Sequence, residues 1–234
     1  MTEFTLLQKI SVWVVPVLFA ITVHEVAHGW VASRFGDLTA KMLGRLTLNP
    51  IKHIDPIGTI LIPAVTMFSA GFIFGYAKPV PVSYQNLNHP KTDMAWVAIA
   101  GPGANLFMAC CWAIWIRLIV LLGEASGDTG LFLISMGVAG IFVNIILMVI
   151  NLIPIPPLDG GRVLVQILPA KYGDQISRLE PFGFLILIGL LMLGILGKLV
   201  GPIIMLLMGW FSGLAGISSQ VFTVILYALG AYSH

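Results

Sequence analysis

Charge is scarce in this chain: 9% of its 234 residues are Asp, Glu, Lys or Arg, where a soluble globular domain carries about a quarter. With 58% apolar residues and a mean hydropathy of +0.99, that scarcity excludes a water-soluble domain and points to a polytopic membrane protein. Cysteine is almost absent. Cys110 and Cys111, the only two, are neighbours inside an apolar run; on a helix they point apart, so neither a disulfide framework nor a thiolate metal site is expected. A net charge of +2 offers no basic stripe, and no nucleic-acid role is expected. Long polar stretches are also missing. The longest connection runs from Arg34 to Asp55, so residues 1–234 are expected to form one integral-membrane domain.

What the chain has is apolar runs. A crossing needs about 20 residues, and runs near that length occupy residues 6–33, 94–122, 130–153, 181–197 and 202–230, with a sixth candidate at 57–77. The first run does not end in a small-residue cleavage site, so it is expected to stay as a span. The expected fold is all-α and polytopic, with about five to six transmembrane helices. The sixth candidate is irregular, with Gly58, Pro63, Ser69, Gly71 and Gly75, and leads into Lys78-Pro79-Val80-Pro81-Val82. Alternating prolines exclude helix and suit an extended edge, and non-helical backbone at membrane depth must line a cavity or be buried in protein. A re-entrant or broken segment with short membrane-associated β-strands is therefore expected near residues 57–82.

Within the first run lies His24-Glu25-Val26-Ala27-His28. Residues four apart share a helix face, so His24 and His28 can present imidazoles to one point with Glu25 beside it. In this pattern two histidines hold Zn²⁺ and the glutamate is the general base for attack by water. Ionisable groups inside apolar spans cost roughly 2.5–3.5 kcal/mol each on insertion scales, and three in one span call for a function. A catalytic zinc takes three protein ligands, and the helix supplies two. The second motif, Asn151-Leu152-Ile153-Pro154-Ile155-Pro156-Pro157-Leu158-Asp159-Gly160-Gly161-Arg162, presents Asp159 on a stretch that prolines must break and glycines can turn. Asp159 is the best third ligand. Asp37, Asp55, Asp93 and Asp174 are weaker candidates because they sit in polar loops, and His53, beside Lys52, is expected to be solvated. Gly101-Pro102-Gly103-Ala104-Asn105 allows close approach of another helix or a substrate strand; Asn105 suits either the site or a helix-to-helix hydrogen bond. Trp112, Trp115 and Arg117 read as interfacial anchors.

Topology follows from parity. If His24, His28 and Asp159 share one ion and 57–77 is not a full crossing, the informative residues converge near one face. That face carries Arg34, Arg45, Arg162, Arg178, Lys41, Lys52, Lys78, Lys91 and Lys171, leaving Lys9, Arg117 and Lys198 elsewhere. Positive charge concentrates on the cytoplasmic side, so the active site is expected nearer the cytoplasmic face, with Thr39 and Ser83–Asn88 on the same side.

With both motifs placed, the sequence resembles the site-2 protease family of intramembrane zinc metalloproteases. The resemblance rests on the HEVAHGW, GPGAN and NLIPIPPLDGGRVL stretches in that order, and it covers most of residues 6–170, the expected catalytic core; residues 181–230 would add C-terminal transmembrane helices. The size and the AKPVPV stretch are similar to small prokaryotic members, without a PDZ or CBS domain. The resemblance implies one Zn²⁺ per chain on His24, His28 and Asp159, with Glu25 activating water. It implies that Asn151 holds the substrate carbonyl or developing oxyanion, and that Asn105 takes the Gly-Pro-x-x-Asn position. It implies a transmembrane protein substrate, unwound and paired with Lys78–Val82, in a prokaryotic cytoplasmic membrane and its lipid. The rival classes are a polytopic metal-ion transporter or channel and an inactive relative that only binds membrane helices.

Overall fold

The computed structural model describes residues 4–62 and 78–231. The described residues form helices and connecting turns, without a β-strand. The long helices are α1 (Leu6–Arg34), α3 (Pro90–Leu121), α4 (Gly127–Asn151) and α8 (Ile195–Ala215); α2 (Thr39–Met42) is a single turn. Between α4 and α8 come α5 (Asp159–Ile167), α6 (Ala170–Ser177) and α7 (Glu180–Met192), and α9 (Ser219–Ala228) closes the chain. Among the described residues four helices are long and apolar enough to cross a membrane, and a fifth span results if α6 and α7, bent by 65°, count as one. The chain is therefore a polytopic, integral membrane protein.

Helix ends follow local chemistry. Thr5 caps α1 reciprocally with Gln8, satisfying donors that a helix start leaves open. Pro90 opens α3, and the Asp93 carboxylate accepts the His89 N–H at 2.6 Å. Two expected spans are divided differently. Lys198 and Pro202 lie inside α8, whereas the breaks fall at Gly194 and Gly216, whose φ values are +67° and +75°. Only glycine takes that backbone at no steric cost, and in a glycine-rich run nothing in the spacing marks which glycine does so.

Lipid is as apolar as the side chains, so packing rather than water exclusion holds the spans together. At the centre α3 crosses α4, where a Cβ on Gly137 or Gly140 would come within 2.5 Å of Ile116 or Trp112. Val12, Ile116, Val138, Ile141, Phe211 and Phe222 meet there from five helices. Trp13 Nε1–H donates to the Leu229 carbonyl at 3.3 Å, tying α9 back to α1. Trp112 packs against Gly140 there, while Trp115 is exposed and donates to Leu133 O, and Arg117 lies against Gly216.

The connection after α1 is more structured than its polarity suggests. Asp37 is fully buried. Its carboxylate accepts from Ser83 N–H at 2.6 Å, from Asn86 Nδ2 at 3.2 Å, and from the Thr39 N–H and hydroxyl. His53, expected to be solvated, is 2% exposed, and donates from Nε2 to Thr47 O. Lys78 N–H donates to the His53 carbonyl at 2.9 Å, so the stretches on either side of 57–77 are joined. The expected re-entrant segment lies mostly outside the described residues, but its flanks meet, and Asn86 Nδ2 reaches Thr39 Oγ1 at 3.1 Å. Thr39 and residues 83–88 therefore share one end of the bundle.

With Cys110 and Cys111 replaced by Ala, cysteines introduced at exposed Lys41 and Gln85 will react with an impermeant reagent from the same side of sealed vesicles; labelling from opposite sides would refute this topology. Asp37 gives a second test. Burial pushes its carboxyl up, yet the donors from Thr39, Ser83 and Asn86 hold it below its ordinary value. A depressed folded-state value stabilises fully above the unfolded pKa of about 3.9 and less as pH falls through the folded value. Asp37→Asn is expected to cost about 1–3 kcal/mol near neutral pH and to flatten the loss of thermal stability below about pH 4.

Candidate metal centre and active site

Helical spacing alone puts His24 and His28 on one face of α1, and both are buried. The neighbouring face, four residues apart again, carries Glu25 and Gly29. Asp159 reaches the histidines as the first residue of α5. The chain leaves α4 at Asn151, breaks at Pro154, Pro156 and Pro157, and turns tightly: a Cβ on Gly160 would strike the Leu152 carbonyl and one on Gly161 would strike Pro156. This close return brings Asp159 Oδ2 to 3.3 Å from Nε2 of His24 and 3.3 Å from Nε2 of His28, while the two Nε2 atoms lie 3.1 Å apart.

The hydrogen bonds behind the rings fix their tautomers. His28 Nδ1 lies 2.6 Å from the Val97 carbonyl, which can only accept, so Nδ1 carries the proton. Asn105 Nδ2 donates to Asn144 Oδ1 at 2.8 Å and Ala20 O at 3.3 Å, which turns Asn105 Oδ1 toward His24 Nδ1 at 2.5 Å. Asn144 is held in turn by donating to Gly140 O at 2.8 Å. Both Nε2 atoms thus present lone pairs, and Asp159 Oδ2 is buried without a hydrogen-bond partner. Three lone-pair atoms facing one another require a cation, and one proton can bridge only one of the three contacts. The separations fit the edges of a tetrahedron around zinc, about 3.3–3.4 Å for bonds of about 2.0–2.1 Å. Among the described residues this is the group of His, Cys, Asp and Glu side chains placed to hold a metal ion.

The remaining expected residues fall in different places. Glu25 is half-buried, and its Oε2 accepts the Val80 N–H at 2.7 Å; the Val80 side chain lies over Gly29. Asn105 stands behind His24 rather than beside the open side of the donor set, so it acts through that ring. Asn151 donates its Nδ2 to the Leu147 carbonyl at 2.9 Å, one turn back in α4. The expected short β-strand is not found at 78–82 among the described residues: Pro79 and Pro81 have no N–H, and that of Val80 goes to Glu25. One contributor, Asn144, went unrecognised in the sequence, while Gly101 belongs to the stretch expected to allow close approach. Asn144 is signalled only as a lone carboxamide in an apolar span. Gly101 sits against both imidazoles, where a methyl group would strike His28 Nε2 and the His24 ring.

Outer hydrogen bonds to metal-ligating histidines are worth about 10–100-fold in metal affinity. Asn105→Leu, which leaves the His24 Nδ1–H unpaired, is expected to weaken zinc retention by that factor, and Gly101→Ala, which pushes α3 away from both rings, by at least as much. Zinc content after competition with a chelator checks both, and retention equal to the parent's would refute the arrangement.

Comparison with known proteins agrees with this geometry. Residues 119–196 match the model of Peptidase family M50. Over 178 residues the chain is 41% identical to the candidate zinc metalloprotease YwhC of Bacillus subtilis, covering 74% of this chain and 76% of that protein. It is 29% identical over 206 residues to the candidate zinc metalloprotease Rip2 of Mycolicibacterium smegmatis, covering 87% and 74% of the two chains. The corresponding figures for Rip2 of Mycobacterium tuberculosis are 27% over 197 residues, 84% and 68%. No solved structure matches. A likeness of this strength over about three quarters of both chains settles the family: the chain belongs to Peptidase family M50, the site-2 protease family.

Proposed function

We propose that His24, His28 and Asp159 hold one Zn²⁺ and that Glu25 is the general base with which this intramembrane zinc metalloprotease hydrolyses peptide bonds in the transmembrane segments of substrate proteins. The observation that carries the assignment is the meeting of two unprotonated Nε2 atoms and an orphaned carboxylate oxygen. Zinc, when bound, supplies Lewis acidity, making water a competent nucleophile near neutral pH and polarising the scissile carbonyl. The protein's own groups do the rest. Glu25 takes the proton from the attacking water and returns it to the leaving amine; the Val80 N–H on Oε2 fixes the carboxylate and leaves Oε1 for that proton. Asn105, backed by Asn144, keeps the His24 proton on Nδ1. Asn151 turns from Leu147 O toward the substrate carbonyl when one is present. Asn105 is a positioning residue in this scheme, while Glu25 and Asn151 act on the reacting atoms.

The substrate helix must unwind, because helical peptide bonds are shielded by their own hydrogen bonds. Water reaches the site from the end of the bundle where Asp37, the 83–88 segment and Asp159 gather. That end holds most of the basic residues, which supports a cytoplasmic-facing site in a prokaryotic cytoplasmic membrane. Residues 6–170 would form the catalytic core within a single domain of 1–234, embedded in lipid, with residues 181–230 flanking it.

Replacing Glu25 with Gln should lower cleavage of a detergent-solubilised single-span substrate by about 10²–10⁴-fold, the usual weight of a general base, while the protein still holds about one zinc. Zinc transport by the parent that persists unimpaired in the Glu25→Gln variant would instead favour ion transport. Loss of zinc in the variant would overturn the role given to Glu25.

A further inference from the structure

A cavity of about 320 Å³ separates the Pro79–Val82 segment from α5. Its two walls differ in chemistry. On one side Pro79 and Pro81 have no N–H, and the Val80 N–H is committed to Glu25, so from Pro79 to Pro81 this wall offers carbonyls and apolar rings but no free donor. The facing wall is polar. Arg162 and Gln166, one turn apart on α5, line it with Ser177 at the end of α6 and Glu180 at the start of α7. Arg162 is half-buried. It forms no ion pair among the described residues, Glu180 included, and no side-chain hydrogen bond there.

A partly desolvated guanidinium without a partner is costly to keep. Here it belongs to the helix that starts with Asp159, one turn from the metal donors. The polar wall holds donors in Arg162 and Gln166 and acceptors in Glu180 and Ser177, a mixture that suits a ligand carrying both carbonyls and N–H groups in a row. An extended peptide is such a ligand, and a helix is not, because its backbone groups are already paired. The adjoining carboxylate of Glu180 disfavours a purely anionic occupant. We propose that Arg162, with Gln166, is a substrate-positioning residue: it binds the carbonyls of the unwound substrate segment and supplies the donors that the Pro79–Pro81 wall lacks. The inference rests on the protease reading above and assigns the residues that hold the substrate open.

Binding can be measured without turnover. Zinc-loaded protein carrying Glu25→Gln, in phosphatidylcholine vesicles, is titrated with a fluorescent single-span peptide that has a glycine-weakened centre. Arg162→Leu is expected to weaken binding about 10–100-fold, the weight of one lost charge-assisted hydrogen bond, with zinc content unchanged; Gln166→Leu is expected to weaken it less, and Arg162→Lys to restore part of the loss. In protein with Glu25 intact, most of the Arg162→Leu defect should fall on KM rather than kcat. Equal affinities for the parent and Arg162→Leu would overturn the proposal, and so would loss of zinc, which would place Arg162 in support of the metal centre. Cleavage by the protein with Glu25 and Arg162 intact is a separate readout: binding that depends on Arg162 without any cleavage sinks the protease reading and leaves the cleft, whereas cleavage with unchanged binding sinks the cleft alone.

Discussion

Two imidazoles and a carboxylate, brought together with their lone pairs facing inward, repel one another unless a cation lies among them, and the packing around them is organised to hold them there. The rings cannot rotate away. His28 is fixed by the Val97 carbonyl and His24 by Asn105, and Asn105 is itself held by Asn144 on the next helix. The restraint thus runs through three helices, α1, α3 and α4. A donor set that would disperse if left free is fixed by neutral hydrogen bonds, each satisfied at both ends, as burial in an apolar bundle demands.

The same restraint explains the distribution of small residues. Gly101 must have no side chain because the imidazoles lie against the α3 backbone; Gly137 and Gly140 let Ile116 and Trp112 enter the α3–α4 crossing; Gly160 and Gly161 let the α5 start fold back on its own loop. In water such close approaches would be reinforced by the exclusion of solvent from apolar surface. In lipid the gain comes from packing and polar contacts, so a single added methyl acts directly on the position of the metal donors.

How much was legible in the sequence depended on the range of the interaction. His24, Glu25 and His28 were readable because helical spacing is local and their polarity stands out in an apolar run. Asp159 was readable as a ligand candidate because prolines and glycines announce an irregular turn, although nothing in the spacing shows that the turn returns to α1. Asp37 and His53 looked like ordinary loop residues; their burial is created by partners 46 residues away at Ser83 and by the return of the chain at Lys78, which no local pattern encodes. The C-terminal spans, expected at 181–197 and 202–230, break instead at Gly194 and Gly216, since which glycine takes positive φ is set by how neighbouring helices pack. Asn144 was passed over because a single carboxamide in a span has many uses, and its use here depends on Asn105 lying opposite.

The Pro79–Val82 segment connects these features. It is pinned at one end by Lys78 to His53 and at the other by Ser83 to Asp37, with the Val80 N–H, between two prolines, aimed at Glu25. A flexible loop could not hold a backbone N–H on a carboxylate at 2.7 Å, but a segment whose φ angles are locked by proline and whose ends are tied to buried residues loses little further freedom in doing so. The segment is at once a wall of the cavity beside α5 and a support of the Glu25 carboxylate. In the proposed mechanism, a chain lodged against that wall touches the element that orients the base. This gives the buried Asp37 a purpose that its distance from the donor set conceals: it fixes the far end of the segment that holds Glu25.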